Sequence, residues 1–408
     1  MRIAMVSEHA GPLSDPGRED FGGRHVYVAE LSAALVAAGH DVSIYVRSES
    51  TSIPESVEPG GVRVVPLLAG PRRPLTEDAR LPHMGRFAGE LADAWLAEPP
   101  DVVHAHSWMS GLAALLAARR LAIPVVQTFH DLSVVLRRIE GAEGAGGPQR
   151  LRLERTIACS VDQVAAMCTA EAVELVKMGV PRSSVTVMPC GVDVDQFTPT
   201  GPAAPRSGRF RLLCAAGQDH RHGLDTVIRA LRLLPEAELV VVGGTTAQAG
   251  DPLRDAETDG LRTLAEQLGV VDRVHWAGRI PRRQMPALFR SADVVVCAAW
   301  YESSGVVAVE AMACAIPVVV ASTGGPADTV VDGVTGLHVP PRDVRALAAA
   351  LRGLVRDTSR RQSLGVAGSD RARARFAWSR IAADTARVYT RLAGSGAPEE
   401  TAFAGQGV

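Results

Sequence analysis

Short runs rich in valine and isoleucine recur along this chain, with longer helical stretches between them. No other feature constrains the fold as strongly. The first set is Arg2–Ser7, Asp41–Val46, Val62–Leu67, Val102–Ala105, Val125–Phe129, Gln163–Cys168 and Val185–Met188. The second set is Phe210–Ala215, Glu238–Val242, Val274–Ala277, Asp293–Ala298 and Val318–Ala321. A strand that is apolar on both sides has to be covered on both sides, so this alternation predicts parallel sheets lying between layers of helices. The chain has 408 residues, more than the roughly 250–300 at which a single core stops growing. Two sets of runs therefore predict two Rossmann-like α/β domains, with ligands bound beyond the carboxyl ends of the strands.

The expected seam is Pro189-Cys-Gly-Val-Asp-Val-Asp-Gln-Phe-Thr-Pro199, followed by a Pro/Gly/Ser/Ala-rich linker to Gly208. This divides the chain into a first domain at 1–198, a second at 199–376, a helical stretch at 377–393 and a small, polar tail at 394–408 read as disordered. Asp193 and Asp195 form an Asp-x-Asp pair inside the seam. Such a pair binds metal in some enzymes, but its place in a linker argues against that role here.

The net charge of −2 offers no electrostatic case for nucleic acid or an anionic membrane. No apolar stretch reaches the ~18 residues of a membrane span, and the apolar start is too short for a signal peptide. Six cysteines without a Cys-x-x-Cys pair fit reduced, buried thiols in the cytoplasm. Lys177 is the only lysine; arginine supplies every other fixed positive charge, as in proteins of GC-rich, actinobacterial-type genomes.

The segment Tyr301-Glu-Ser-Ser-Gly-Val-Val-Ala-Val-Glu-Ala-Met-Ala-Cys-Ala-Ile-Pro317 follows an apolar run and carries two carboxylates, Glu302 and Glu310. It reads as strand, loop, then a helix beginning near Gly305. A helix start offers unpaired backbone N–H groups and partial positive charge, which suit an anion such as phosphate. Further along come Pro317-Val-Val-Val, Thr323-Gly324-Gly325-Pro326 and Asp332-Gly-Val-Thr-Gly336. In the first half, Phe21-Gly22-Gly23-Arg24-His25-Val-Tyr27 opens a helix ending near Gly39-His40, Asp101-Val-Val-His104-Ala-His106-Ser107 closes one strand, and Thr128-Phe-His130-Asp131 closes the next. His104 and His106 lie on one side of a strand, but without a third ligand they read as packed or acceptor-facing rather than metal-binding.

Taken in order, these motifs resemble retaining glycosyltransferases of family 4, which have the GT-B fold, over about residues 1–392. The similarity is greatest to the mycothiol-pathway and sucrose-synthesising members. The resemblance implies two Rossmann-like domains with sheets facing a central cleft, and a final helix crossing back onto the first domain. It implies a nucleotide-sugar donor, no metal cofactor and no nucleic-acid partner, and it leaves a homodimer open. It assigns ribose hydroxyls to Glu310, donor-sugar hydroxyls to Glu302 with Ser303, Ser304, Gly305 and Val306, and the base to the loop at Arg279. Gly22 and Gly23 would cover the diphosphate, and His130 would meet the donor sugar at the reacting centre. Retention would follow front-face attack, in which the departing phosphate takes the acceptor's proton and no protein nucleophile is needed.

The chain departs from the family where charge matters most. The family's Gly-Arg-x-x-x-x-Lys-Gly reads here Gly217-Gln218-Asp-His-Arg221-His222-Gly223, one residue shorter. Gln218 and His222 therefore stand where an arginine and a lysine neutralise the diphosphate, with Arg221 a candidate substitute. Ser304 replaces a phenylalanine and Ala315 a glycine. On the acceptor side His25, Ser107 and Asp131 replace the asparagine, tyrosine and threonine that help hold inositol phosphate, and Asp131 would repel a phosphate. The expectation is transfer to a small polar, non-phosphorylated acceptor in specialised metabolism, such as an antibiotic or pseudo-oligosaccharide pathway. The competing reading is a degenerate sugar-nucleotide binder without turnover. A dehydrogenase is disfavoured because no Gly-x-Gly-x-x-Gly follows the first strand.

Overall fold

The computed structural model describes residues 1–8, 23–49, 56–57, 60–141, 147–217, 220–243 and 252–395. Gly22, Gln218 and the tail beyond residue 395 lie outside these. The first sheet contains β1 (Arg2–Ser7), β2 (Asp41–Arg47), β3 (Ser56–Val57), β4 (Arg63–Leu67), β5 (Val102–His106), β6 (Val125–Thr128), β7 (Gln163–Ala166) and β8 (Val185–Val187), in the order β3-β4-β2-β1-β5-β6-β7-β8. Only the two-residue β3 at the edge runs antiparallel. The second sheet contains β9 (Phe210–Ala215), β10 (Ala237–Val242), β11 (Val274–Gly278), β12 (Val294–Cys297), β13 (Val318–Ala321) and β14 (Gly336–Val339), in the order β11-β10-β9-β12-β13-β14, all parallel. In each sheet the order reverses beside the first strand, and at such switch points α/β folds open a crevice for ligands.

The strands are apolar because both of their faces are covered. Val102, Val103, Val294 and Val295 have no exposed surface, and each sheet carries one apolar core on either side. The sequence pattern missed β3 and β14. In β14 a glycine and a histidine break the apolar run, and the segment reads as a turn motif. Gly336 is needed there for close strand approach: a Cβ on it would lie 2.7 Å from both the side chain and the carbonyl oxygen of Val318.

The final helix, Trp378–Ser395, returns to the first sheet. Trp378 and Tyr389 are buried there with Tyr27, Val28 and Leu31 of the helix Gly23–Ala37. The two passes between domains run side by side: the Val192 N–H donates to the Phe376 carbonyl (2.7 Å) and the Trp378 N–H to the Val192 carbonyl (3.3 Å). Among the described residues no helix is long and apolar enough to cross a membrane. All six cysteines are free; five are buried and Cys159 is exposed.

Candidate functional site

The carboxyl ends of the parallel strands carry the loops singled out from the sequence. Glu8 follows β1, Ser107 follows β5 and His130 follows β6. Arg221 and His222 follow β9, and the Trp300–Gly305 segment follows β12.

Three histidines sit inside the first domain. His104 is fully buried and bonds the Tyr389 hydroxyl (2.6 Å) through Nδ1 and Thr128 Oγ1 (2.9 Å) through Nε2. Burial depresses it to about 3. It is a packed histidine that ties the final helix to the sheet. His106 Nδ1 lies 3.3 Å from His130 Nε2. The Tyr27 ring meets both edge-on, at 5.8 and 5.4 Å, and Trp378 at 5.5 Å. Burial holds His106 and His130 well below the ordinary imidazole range; neighbouring His104 adds to this for His106, and Arg24 for His130. Both rings are therefore neutral at pH 7, so one of the two nitrogens in contact donates and the other accepts. His130 has φ +67°, a left-handed backbone that costs a non-glycine residue about 1–2 kcal/mol. His25 is buried in the first turn of the helix Gly23–Ala37, near enough to help depress His130.

On the second domain the helix Val306–Ala313 starts after Gly305 (φ +64°), as the sequence predicts. Its first-turn donors are not all left for an anion. The Glu302 carboxylate accepts the N–H groups of Gly305 and Val306 and the Ser304 hydroxyl at 3.0 Å. Burial raises Glu302, and the Ser304 hydroxyl partly offsets this. The turn Gly324-Gly325 backs this loop closely. The Gly325 N–H donates to the Glu302 carbonyl (2.8 Å), and a Cβ on Gly324 (φ +60°) would lie 2.0 Å from that oxygen. Only glycine fits at Gly324.

Glu310 is 3% exposed and forms an ion pair with Arg282 at 2.5 Å. Burial raises it, and Arg282 opposes the rise. Arg282 also lies 5.2 Å above the Phe197 ring and 3.8 Å from Glu30 on the first domain. Arg279 is half-buried just past β11. Arg221 and His222 form a short turn whose Arg221 carbonyl accepts the Trp300 N–H at 2.7 Å. The Trp300 ring is covered by Arg342 at 3.4 Å.

The two halves meet across the cleft. A Cβ on Gly23 would lie 3.6 Å from Ser304 Oγ and 3.7 Å from Val306, so the start of the glycine helix abuts the donor-side loop. Ser303 of that loop is buried, and Val306 packs against the first-domain core. The Thr169 N–H donates to Asp328 at 2.5 Å, and the Tyr301 hydroxyl lies 3.7 Å from Cys168 Sγ.

Beside the histidines, Glu8, Arg24, Glu77, Arg80, Ser107, Trp108 and Arg150 line a small open pocket. Every guanidinium there is already paired. Arg24 faces Asp131 (3.7 Å), Arg80 faces Glu8 (3.4 Å), and Arg150 faces Glu77 (3.2 Å) and Glu154 (2.7 Å). Of the expected acceptor residues, Ser107 lines the pocket and Asp131 reaches it through Arg24, but His25 is not among the lining residues. Sequence reasoning missed Glu8, Arg80, Arg150 and Arg282. The position of Glu8, one residue beyond a strand end, is the signal that was available for it. One oxygen of the Asp193 carboxylate accepts the N–H groups of Asp195 and Gln196 and so closes a turn in the seam.

Comparison with known proteins gives a consistent answer. The profile of Glycosyltransferase Family 4 matches residues 21–196, and that of Glycosyl transferases group 1 matches residues 203–371. A D-inositol 3-phosphate glycosyltransferase of Xylanimonas cellulosilytica is 38% identical over 413 residues, 96% of each chain. Among solved structures, sucrose-phosphate synthase from Thermosynechococcus elongatus superposes with a TM-score of 0.87 at 28% identity, covering 97% of this chain and 99% of its own. An Anabaena protein solved with UDP-glucose shares the fold, with a TM-score of 0.75 at 18% identity, covering 96% of this chain and 100% of its own.

Proposed function

The chain belongs to the glycosyltransferases of group 1 and family 4, and from that membership we propose that it moves a sugar, with retention, from a nucleoside diphosphate to a small polar acceptor without a phosphate group. That it is a glycosyltransferase drawing on a nucleotide sugar follows from the family; the stereochemistry and the acceptor are our reading.

The observation that carries the acceptor assignment is the pairing inside the pocket. Three arginines face four carboxylates, so the pocket carries no surplus positive charge to draw in a phosphate. Hydroxyl groups can instead share these partners.

In the reaction we propose, the acceptor oxygen attacks the anomeric carbon on the face from which the diphosphate leaves. The carbon–phosphate oxygen bond breaks, and the acceptor proton passes to the departing phosphate oxygen. Neutral His130 supplies a hydrogen bond at the reacting centre. Glu302 and the backbone around Ser303–Gly305 hold the donor sugar, Glu310 the ribose and the loop at Arg279 the base. Arg221 and His222 would serve the diphosphate.

A second reading has two observations in its favour: relatives named for D-inositol 3-phosphate and three arginines in the pocket would suit a phosphorylated acceptor. Calorimetric titration with UDP, GDP, ADP and dTDP, with and without Mg²⁺, names the donor base. Turnover of the matching nucleotide sugar with inositol and with D-inositol 3-phosphate then separates the two readings. Metal-independent micromolar binding of one nucleotide and transfer to the unphosphorylated acceptor are expected. Preferential transfer to D-inositol 3-phosphate overturns the acceptor assignment. Failure to bind any nucleotide overturns catalysis altogether, and binding without turnover leaves the degenerate sugar-nucleotide binder.

A further inference from the structure

Glu8 follows β1 in a position that nothing in the donor chemistry uses. It is 2% exposed and lies on the wall of the acceptor pocket. Its carboxylate accepts the Ser107 hydroxyl at 2.7 Å and also the Ser110 hydroxyl, with Arg80 at 3.4 Å on its other oxygen. The Ser110 oxygen in turn accepts the Glu8 backbone N–H at 2.9 Å. The serine protons thus point inward. A hydroxyl has one hydrogen and two lone pairs. With its hydrogen drawn to a carboxylate, Ser107 has only lone pairs to offer the pocket. Ser107 also has φ +80°, a backbone position disfavoured for serine, so the chain holds this hydroxyl against Glu8 at some conformational cost.

We infer that Glu8 sets the polarity of the acceptor pocket, turning Ser107 into a pure hydrogen-bond acceptor that selects a hydrogen-bearing group, an ammonium ahead of a hydroxyl, and rejects phosphate. An ammonium or hydroxyl completes the chain from acceptor to Ser107 to Glu8 with every hydrogen used. A phosphate oxygen at the same place meets a lone pair backed by a buried negative charge. The inference rests on the unphosphorylated-acceptor reading and names the residue that enforces it.

The test is titration, in the presence of saturating nucleotide, with scyllo-inosamine, myo-inositol and D-inositol 3-phosphate, on the wild type, Glu8→Gln and Ser107→Ala. In Glu8→Gln the donor Arg80 claims the amide oxygen, so the amide NH₂ takes the place of the oxygen that accepted both serine protons and donates to the serine oxygens, leaving the Ser107 hydrogen free to turn toward the pocket. The wild type is expected to bind the inosamine at least tenfold tighter than the phosphate. Glu8→Gln is expected to gain phosphate affinity by at least tenfold, a gain that a misfolded variant cannot imitate. Ser107→Ala is expected to lose inosamine affinity without gaining phosphate affinity. A wild type that prefers the phosphate, or shows no preference, overturns this inference and the acceptor assignment together. A wild type that prefers the inosamine, with Glu8→Gln leaving the ratio unchanged, overturns the role of Glu8 alone.

Discussion

Replacing Glu171 by glutamine should remove a large part of the stability this protein loses as pH rises from 4.5 to about 8. Glu171 lies in the first turn of the helix Thr169–Lys177 and is 1% exposed. One of its oxygens accepts the Met167 N–H at 2.7 Å; the other is buried without a hydrogen-bond partner. Burial pushes the group from 4.5 up to about 8, and Asp131 and Glu154 add to the rise against the Met167 hydrogen bond. Each tenfold in proton affinity is worth ~1.4 kcal/mol, so a displacement of this size corresponds to ~5 kcal/mol at most. The sign follows from proton counts. Between 4.5 and about 8 the folded chain keeps a proton that the unfolded chain has released, so stability is full below the lower value and declines as pH rises through the upper one. Glutamine keeps the carbonyl that accepts the Met167 N–H but cannot ionise. Urea unfolding of both proteins at steps from about pH 5 to about pH 9 should show a wild-type free energy that falls by some 2–5 kcal/mol more than the variant's. Glu302 and Glu310 are also raised, but they contribute equally to both proteins and cancel in the difference. Parallel curves for the two proteins would refute the reasoning, because they would mean that Glu171 is ionised in the folded chain at neutral pH.

Asp328→Ala removes the cross-cleft acceptor of the Thr169 N–H, a contact worth ~1–2 kcal/mol; by destabilising the closed cleft it should weaken nucleotide-sugar affinity about five- to thirtyfold in calorimetry, and unchanged affinity would count against closure through this contact. Arg282→Met strands Glu310 in the interior and should cost ~3–5 kcal/mol in unfolding experiments, with most of it restored in the Arg282→Met/Glu310→Gln double variant; additive losses would show that the pair is not coupled. His130→Asn keeps a residue that tolerates left-handed backbone and should fold normally while losing transfer by ~10²-fold or more, whereas retained transfer would remove His130 from the reacting centre.

The amino-acid sequence by itself determined the architecture and the identity of most site loops. Strands apolar on both faces can be satisfied only between two layers of helices, so the runs Arg2–Ser7 and Phe210–Ala215 appear as strands with the predicted bounds, and the helix after Glu302 starts where Gly305 lets it. These are local properties, set by periodicity and backbone freedom. The folded arrangement alone decided which charges meet. Arg282 and Glu310 are 28 residues apart in sequence, Glu8 and Ser107 are 99 apart, and Thr169 and Asp328 are 159 apart. Pairing over such distances depends on how whole layers pack, and no spacing rule encodes it. That is why Glu310 could be read as a ribose ligand without Arg282, and why a pocket lined by three arginines carries no surplus positive charge. Whether a hydroxyl such as that of Ser107 offers its hydrogen or its lone pairs depends on which neighbour has already claimed the proton, and here a residue from another strand end has claimed it.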